Sequence, residues 1–192
     1  MATGNWVRSA VIVAALGFGG DALADFDEAQ AAFNTGRFEK AKDLLEPLAE
    51  DGDARAQYAL GAMYQNGLAV EKDYGKALAY YQASAGQGYP SGQFGLGALY
   101  EKGSGVEQNY EEAAKWYRLS AEQTDIEKRW PGNRGPKDGS AFAQNALGKL
   151  YETGRGVPKD LDEAKRWYTM SADYGYTVAK QNLERLKGLK SE

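Results

Sequence analysis

Through most of the chain, apolar residues fall at helical spacing. Ala56, Leu60 and Tyr64 step by four, and Tyr80, Tyr81 and Ala85 stand three, four and eight positions after Ala77. Such spacing lays an apolar stripe along one side of a helix, so the two runs predict a pair of amphipathic helices. The pair then recurs in register. Leu60-Gly61 with Tyr64 returns as Leu96-Gly97 with Tyr100 after 36 residues, and as Leu147-Gly148 with Tyr151 after a further 51. Ala77, Tyr80-Tyr81 and Ser84-Ala85 answer to Ala113, Trp116-Tyr117 and Ser120-Ala121, then to Ala164, Trp167-Tyr168 and Ser171-Ala172, at the same two intervals. Three units therefore share one register, and the longer interval hides an insertion of 15 residues.

The punctuation repeats as well. Gly67, then Gly103 and Gly105, then Gly154 and Gly156 supply permissive backbone for a left-handed helix end and a tight turn. Val70, Val106 and Val157 follow at one fixed place, which suits a plug under the helix pair. Asn109 with Glu112, and Asp160 with Glu163, predict capped starts for the second helices. In the first unit Asp73 keeps the cap while Lys76 replaces the acid. Gly61, Gly97 and Gly148 sit inside the first helices, where each costs about 1 kcal/mol relative to alanine. Their recurrence predicts a close helix approach that repays the loss.

Upstream, Phe33, the turn Gly36-Arg37-Phe38, Ala41, Leu44-Leu45 and Ala49 read as a shorter helix pair. Downstream, Ala179 and Leu183 stand 36 residues beyond Ala143 and Leu147, so one more first-type helix is expected from about Thr177. The predicted layout is a leader over 1–24, a tetratricopeptide-like pair over 25–53, units over 54–90, 91–124 and 140–176, the insertion over 125–139, and a capping helix and tail over 177–192.

Written as A-x-x-x-L-G-x-x-Y, a Gly-x-Gly-Val loop, Asp or Asn, then A-x-x-W-Y-x-x-S-A, this pattern resembles the Sel-1-like repeat (SLR), a relative of the tetratricopeptide repeat with a longer inter-helix loop. The departures are local. Ala69 stands where the other units have Gly105 and Gly156, and Tyr80 stands where they have Trp. The resemblance implies an all-α, right-handed α/α solenoid in which each unit touches its neighbours and the first helices line the concave face. It also implies a protein-interaction role.

Composition narrows the chemistry. The chain has no Cys and no His, which removes thiolate and imidazole nucleophiles, bases and metal ligands. Adjacent acids such as Glu111-Glu112 point to different sides of a helix, so the reading is a protein without catalysis, cofactor or metal. Twenty-seven acidic and 23 basic residues are mixed along the chain, so there is no clustered basic face of the kind that nucleic-acid binding needs. At the start, Arg8, the apolar run Ala10 to Phe18, and Ala22-Leu23-Ala24 before Asp25 have the layout of a secretory signal peptide cleaved near Ala24. That run is too short to span a bilayer, so a periplasmic or secreted protein is expected, not an integral membrane one.

Two places attract a partner protein or peptide. Beside the packing stripe of the first helices runs a second stripe: Arg55, Tyr58, Ala62 and Gln65, then Ser91, Phe94, Ala98 and Glu101, then Phe142, Asn145, Lys149 and Glu152. Tyr58 and Phe94 there suit aromatic anchors, or else packing between first helices. In the insertion, Pro131, Pro136, Gly132, Gly135 and Gly139 argue against a helix, and Trp130 is surrounded by Lys128, Arg129, Arg134 and Lys137, a set suited to an acidic partner. The aromatic dyads at 80–81, 116–117 and 167–168 read as core. The leading expectation is an envelope adaptor that docks a partner on the concave face and the insertion. Alternatives are an immunity protein that neutralises a toxic effector in the periplasm, and a peptidoglycan- or glycan-binding envelope protein.

Overall fold

The computed structural model describes residues 21–123 and 139–188, and all regular structure among them is helical. In chain order the helices are α1 (Asp21–Asn34), α2 (Phe38–Glu50), α3 (Ala54–Asn66), α4 (Tyr74–Gly86), α5 (Pro90–Lys102), α6 (Tyr110–Ala121), α7 (Ser140–Thr153), α8 (Leu161–Asp173) and α9 (Thr177–Gly188). Helix α1 starts four residues ahead of Asp25, so the expected cleavage point after Ala24 lies in its first turn. No helix among the described residues is long and apolar enough to cross a membrane.

The helix ends follow the predicted signals. Asp73, Asn109 and Asp160 cap the second helices by accepting from the backbone N–H of Lys76, Glu112 and Glu163 at 2.9–3.0 Å. The first helices close on Gly67, Gly103 and Gly154, all in the left-handed region. Val70, Val106 and Val157 are half-buried and pack against the cores at the joints.

Within a unit the lock between the two helices is a glycine against a ring. A Cβ on Gly61, Gly97 or Gly148 would stand 2.7 to 2.8 Å from the ring of Tyr81, Tyr117 or Tyr168. Real carbon atoms do not approach so closely, so each second-helix tyrosine lies flat where the first helix has no side chain. Those three tyrosines are 0 to 3% exposed, as the dyads' core reading requires. One residue earlier, Trp167 is also buried, whereas Tyr80 and Trp116 are half-buried against the neighbouring joint.

Serine supplies a second, polar lock. The hydroxyls of Ser84, Ser120 and Ser171, each fully buried, donate to the backbone carbonyls of Ala54, Pro90 and Ala141 at 2.7–2.8 Å. A third contact appears in the first two units only. Gln87 Nε2 donates to Gly52 O and Gln57 Oε1, and Gln123 Nε2 donates to Gly88 O and Gln93 Oε1. In the third unit the donor's place is taken by exposed Tyr174, and the Oε1 of buried Gln144 has no partner among the described residues. The array is thus least regular next to the insertion.

The hydrophobic core is a series of joints rather than one centre. One cluster joins α1, α2 and α3, another α4 and α5, a third α6 and α7 with Trp167, and a last one α8 and α9. Each element packs on its sequence neighbours, which is the construction of an α/α solenoid.

Candidate functional site

The curvature of the array selects the surface. First helices of consecutive units touch, α3 against α5 and α5 against α7, whereas the second helices meet the next unit chiefly through its first helix. The first helices therefore crowd the inner side and form the concave wall.

On that wall the fold itself takes up much of the polar stripe. Tyr81 Oη donates to Gln65 at 3.1 Å, Tyr117 Oη to Glu101 at 2.6 Å, and Tyr168 Oη to Glu152 at 2.8 Å, always 16 residues back. Burial, and next the Glu101 carboxylate, push the Tyr117 hydroxyl far above the ordinary tyrosine range. Burial does the same to Tyr81 and Tyr168, so all three remain neutral donors. Gln65, Glu101 and Glu152 thus satisfy the one polar atom of each buried ring.

The aromatic members of the stripe are half core and half surface. Tyr58 stacks on Tyr81 with centroids 5.7 Å apart and meets Tyr89 edge-on at 5.9 Å. Phe94 stacks on Tyr117 at 5.6 Å and lies 5.7 Å from Phe142, which in turn meets Tyr176 at 5.0 Å. Both Tyr58 and Phe94 keep part of their surface in solvent. Arg55 is held by Asp53, with its guanidinium carbon 4.2 Å from the Phe26 ring centroid. Asn145 accepts from Asn182 at 2.9 Å. Ser91 is buried, whereas Lys149 is exposed. Arg129, Trp130 and Arg134, with the rest of the insertion up to residue 138, lie outside the described residues.

One participant was not anticipated. Arg185 on α9 reaches back to Glu152 with two nitrogens, 2.5 and 2.7 Å from its oxygens, and so fastens the last helix to α7. Its position, 36 residues beyond Lys149, was already fixed by the register of Ala179 and Leu183. The Arg185 hydrogen bond, the largest influence, holds the Glu152 carboxyl below the usual glutamate range despite partial burial, and Tyr168 adds to it. A depressed folded pKa contributes stability above the unfolded value of about 4.3 and loses it as pH falls through the folded value. Glu152→Gln should therefore loosen α9 by about 1 kcal/mol at neutral pH, with a difference from wild type that vanishes in acid. Hydrogen exchange of the α9 amides at pH 7 and pH 3 checks this.

Comparison with known proteins agrees with this geometry. A family model described as the Sel1 repeat matches residues 54–89, 90–125 and 141–176. The crystal structure of a Sel1 repeat protein from Oxalobacter formigenes superposes with a TM-score of 0.67 at 32% identity, covering 82% of this chain and 59% of that one. A protective antigen of uropathogenic Escherichia coli strains, displaying an SLR fold, gives a TM-score of 0.50 over 88% of this chain and 42% of its own. At 24% identity that likeness is one of fold. A curated Malassezia restricta protein, chitin synthase regulator SKT5, is 32% identical over 147 residues, which is 76% of this chain. The chain spans 9% of the length of the curated relatives it matches.

Proposed function

Because the chain belongs to the Sel1 repeat family, whose repeats generally serve as protein-interaction scaffolds, we propose that it works without catalysis, docking a partner protein or peptide on its concave face. The observation that carries this reading is the side-by-side contact of α3, α5 and α7. It presents one equivalent residue per unit on a common wall: Ala62, Ala98 and Lys149. Tyr58 and Phe94 add partly exposed aromatic surface one turn earlier, already held in place by stacking, so little side-chain entropy is lost on binding. The arrangement of Arg8, the run Ala10–Phe18 and Ala22-Leu23-Ala24 supports placing this activity in the bacterial envelope, with the leader removed near Ala24.

A block of the wall tests the reading better than truncation of its aromatics, because Tyr58 and Phe94 also support buried tyrosines. The full chain and an Ala62→Arg/Ala98→Arg variant, both checked for helicity by circular dichroism, would be used to capture proteins from the periplasmic fraction. Partners recovered with the wild type are expected to be lost from the variant. Recovery of the same partners by both would move the docking surface elsewhere.

A further inference from the structure

The wall is not uniform from unit to unit, and its change of character says what it reads. Four successive first helices present equivalent pairs of residues: Tyr58 with Ala62 on α3, Phe94 with Ala98 on α5, Asn145 with Lys149 on α7, and Gln181 with Arg185 on α9. Two apolar rungs are followed by two polar ones. Charge follows the same division. Of the other ionised groups of the stripe, Arg55 is paired with Asp53 and Glu152 with Arg185, while the partly buried Glu101 carboxylate keeps its charge and accepts from the neutral Tyr117 hydroxyl. Lys149 alone on this stripe is an exposed charge with no ion-pair partner among the described residues. The Glu152 carboxylate, one turn along the same helix, is already neutralised by Arg185. The third rung thus carries an unbalanced positive charge.

We propose, as a refinement that rests on the concave-face reading, that the partner segment is an extended peptide with apolar side chains over the first two rungs and a carboxylate over Lys149. Spacing sets the register. Packed helices lie about 8–10 Å apart, and a chain extended as a polyproline II helix advances about 3.1 Å per residue with about three residues per turn, so one rung corresponds to about three residues and every third side chain faces the wall. The matching motif has apolar residues at i and i+3 and Asp or Glu at i+6, or the same order reversed. The alanines leave room for aliphatic side chains beside the Tyr58 and Phe94 rings, and the lysine selects the sign of the third group.

The probe is the peptide Leu-Ser-Ser-Leu-Ser-Ser-Glu, labelled with an uncharged fluorophore and with blocked ends so that the Glu carries its only charge. Its reversed sequence and versions with Lys in place of Glu accompany it. Fluorescence anisotropy with the full chain at low ionic strength should show the Glu peptide, in one of the two orders, binding about tenfold more tightly than its Lys counterpart. Lys149→Glu, on an exposed side chain, should invert that preference, and Ala98→Arg should abolish binding of both. Equal affinity for the Glu and Lys peptides, or no binding in either order, overturns the proposal. Loss of binding in Ala98→Arg with no response to Lys149→Glu would leave the concave face as the docking surface and remove the acidic group. No response to either substitution would remove the concave face as well.

Discussion

Gly156→Ala is expected to lower stability by about 3 kcal/mol, more than a glycine-to-alanine change in a loop ordinarily costs. Two terms combine. The residue has φ +68°, a region where an alanine is disfavoured by about 1 kcal/mol. A Cβ there would also stand 2.2 Å from the backbone carbonyl of Tyr110 and 2.7 Å from the Glu111 nitrogen. Those atoms belong to the first turn of α6 and cannot rotate away as a side chain could. Gly105 stands in the same relation to Tyr74, at 2.7 Å. Ala69 occupies the corresponding place in the first unit with φ 56°, partly buried against the α1–α3 core. There the preceding second helix is α2, and the methyl group is accommodated. Ala69→Gly should accordingly stabilise the chain, by less than about 1 kcal/mol. Urea denaturation followed by circular dichroism compares the two. A Gly156→Ala variant within 1 kcal/mol of wild type would contradict the close approach of the α7–α8 loop to α6.

The sequence disclosed the fold so fully because each local signal occurs three times. Glycines at the ends of α3, α5 and α7, and caps at Asp73, Asn109 and Asp160, stand where the register predicts. Any one of these could be coincidence; at common intervals they cannot shift independently. Contacts between helices were less legible. Periodicity tells which face a residue occupies but not which atom it meets, so Gln65, Glu101 and Glu152 read as groove lining although each accepts a buried tyrosine hydroxyl. The signal was present, since an acceptor 16 residues before a tyrosine recurs in all three units. The serines, 30 residues after the carbonyls they bond, were visible as a motif without a function.

For the candidate site the limit is different. A second stripe on the first helices was readable from spacing alone, and so was the presence of Tyr58 and Phe94 on it. How much of each ring faces solvent depends on second-helix tyrosines that lie 23 residues later in sequence. The isolation of Lys149 depends on Arg185 having captured Glu152. Surface chemistry in a solenoid is what remains after neighbouring units have taken their shares, so it becomes readable only once the joints are known.

Gly97 and Tyr117 provide the sharpest test of those joints, because the effect of one substitution should change sign with the other. Tyr117→Ala removes a buried ring that stacks on Phe94 and is expected to cost about 3–5 kcal/mol. Gly97→Ala alone places a methyl group 2.8 Å from that ring and 3.3 Å from the Ala113 carbonyl, both on α6. The strain, about 1–3 kcal/mol, outweighs the gain of about 1 kcal/mol in helix propensity, so the single variant should be destabilised. With the ring gone the nearest obstacle gone with it, Gly97→Ala in the Tyr117→Ala background should instead recover about 1 kcal/mol. Four urea titrations complete the cycle. Additivity within about 0.5 kcal/mol would mean that glycine and tyrosine do not touch, and the explanation of the repeated glycine inside the first helices would fall with it.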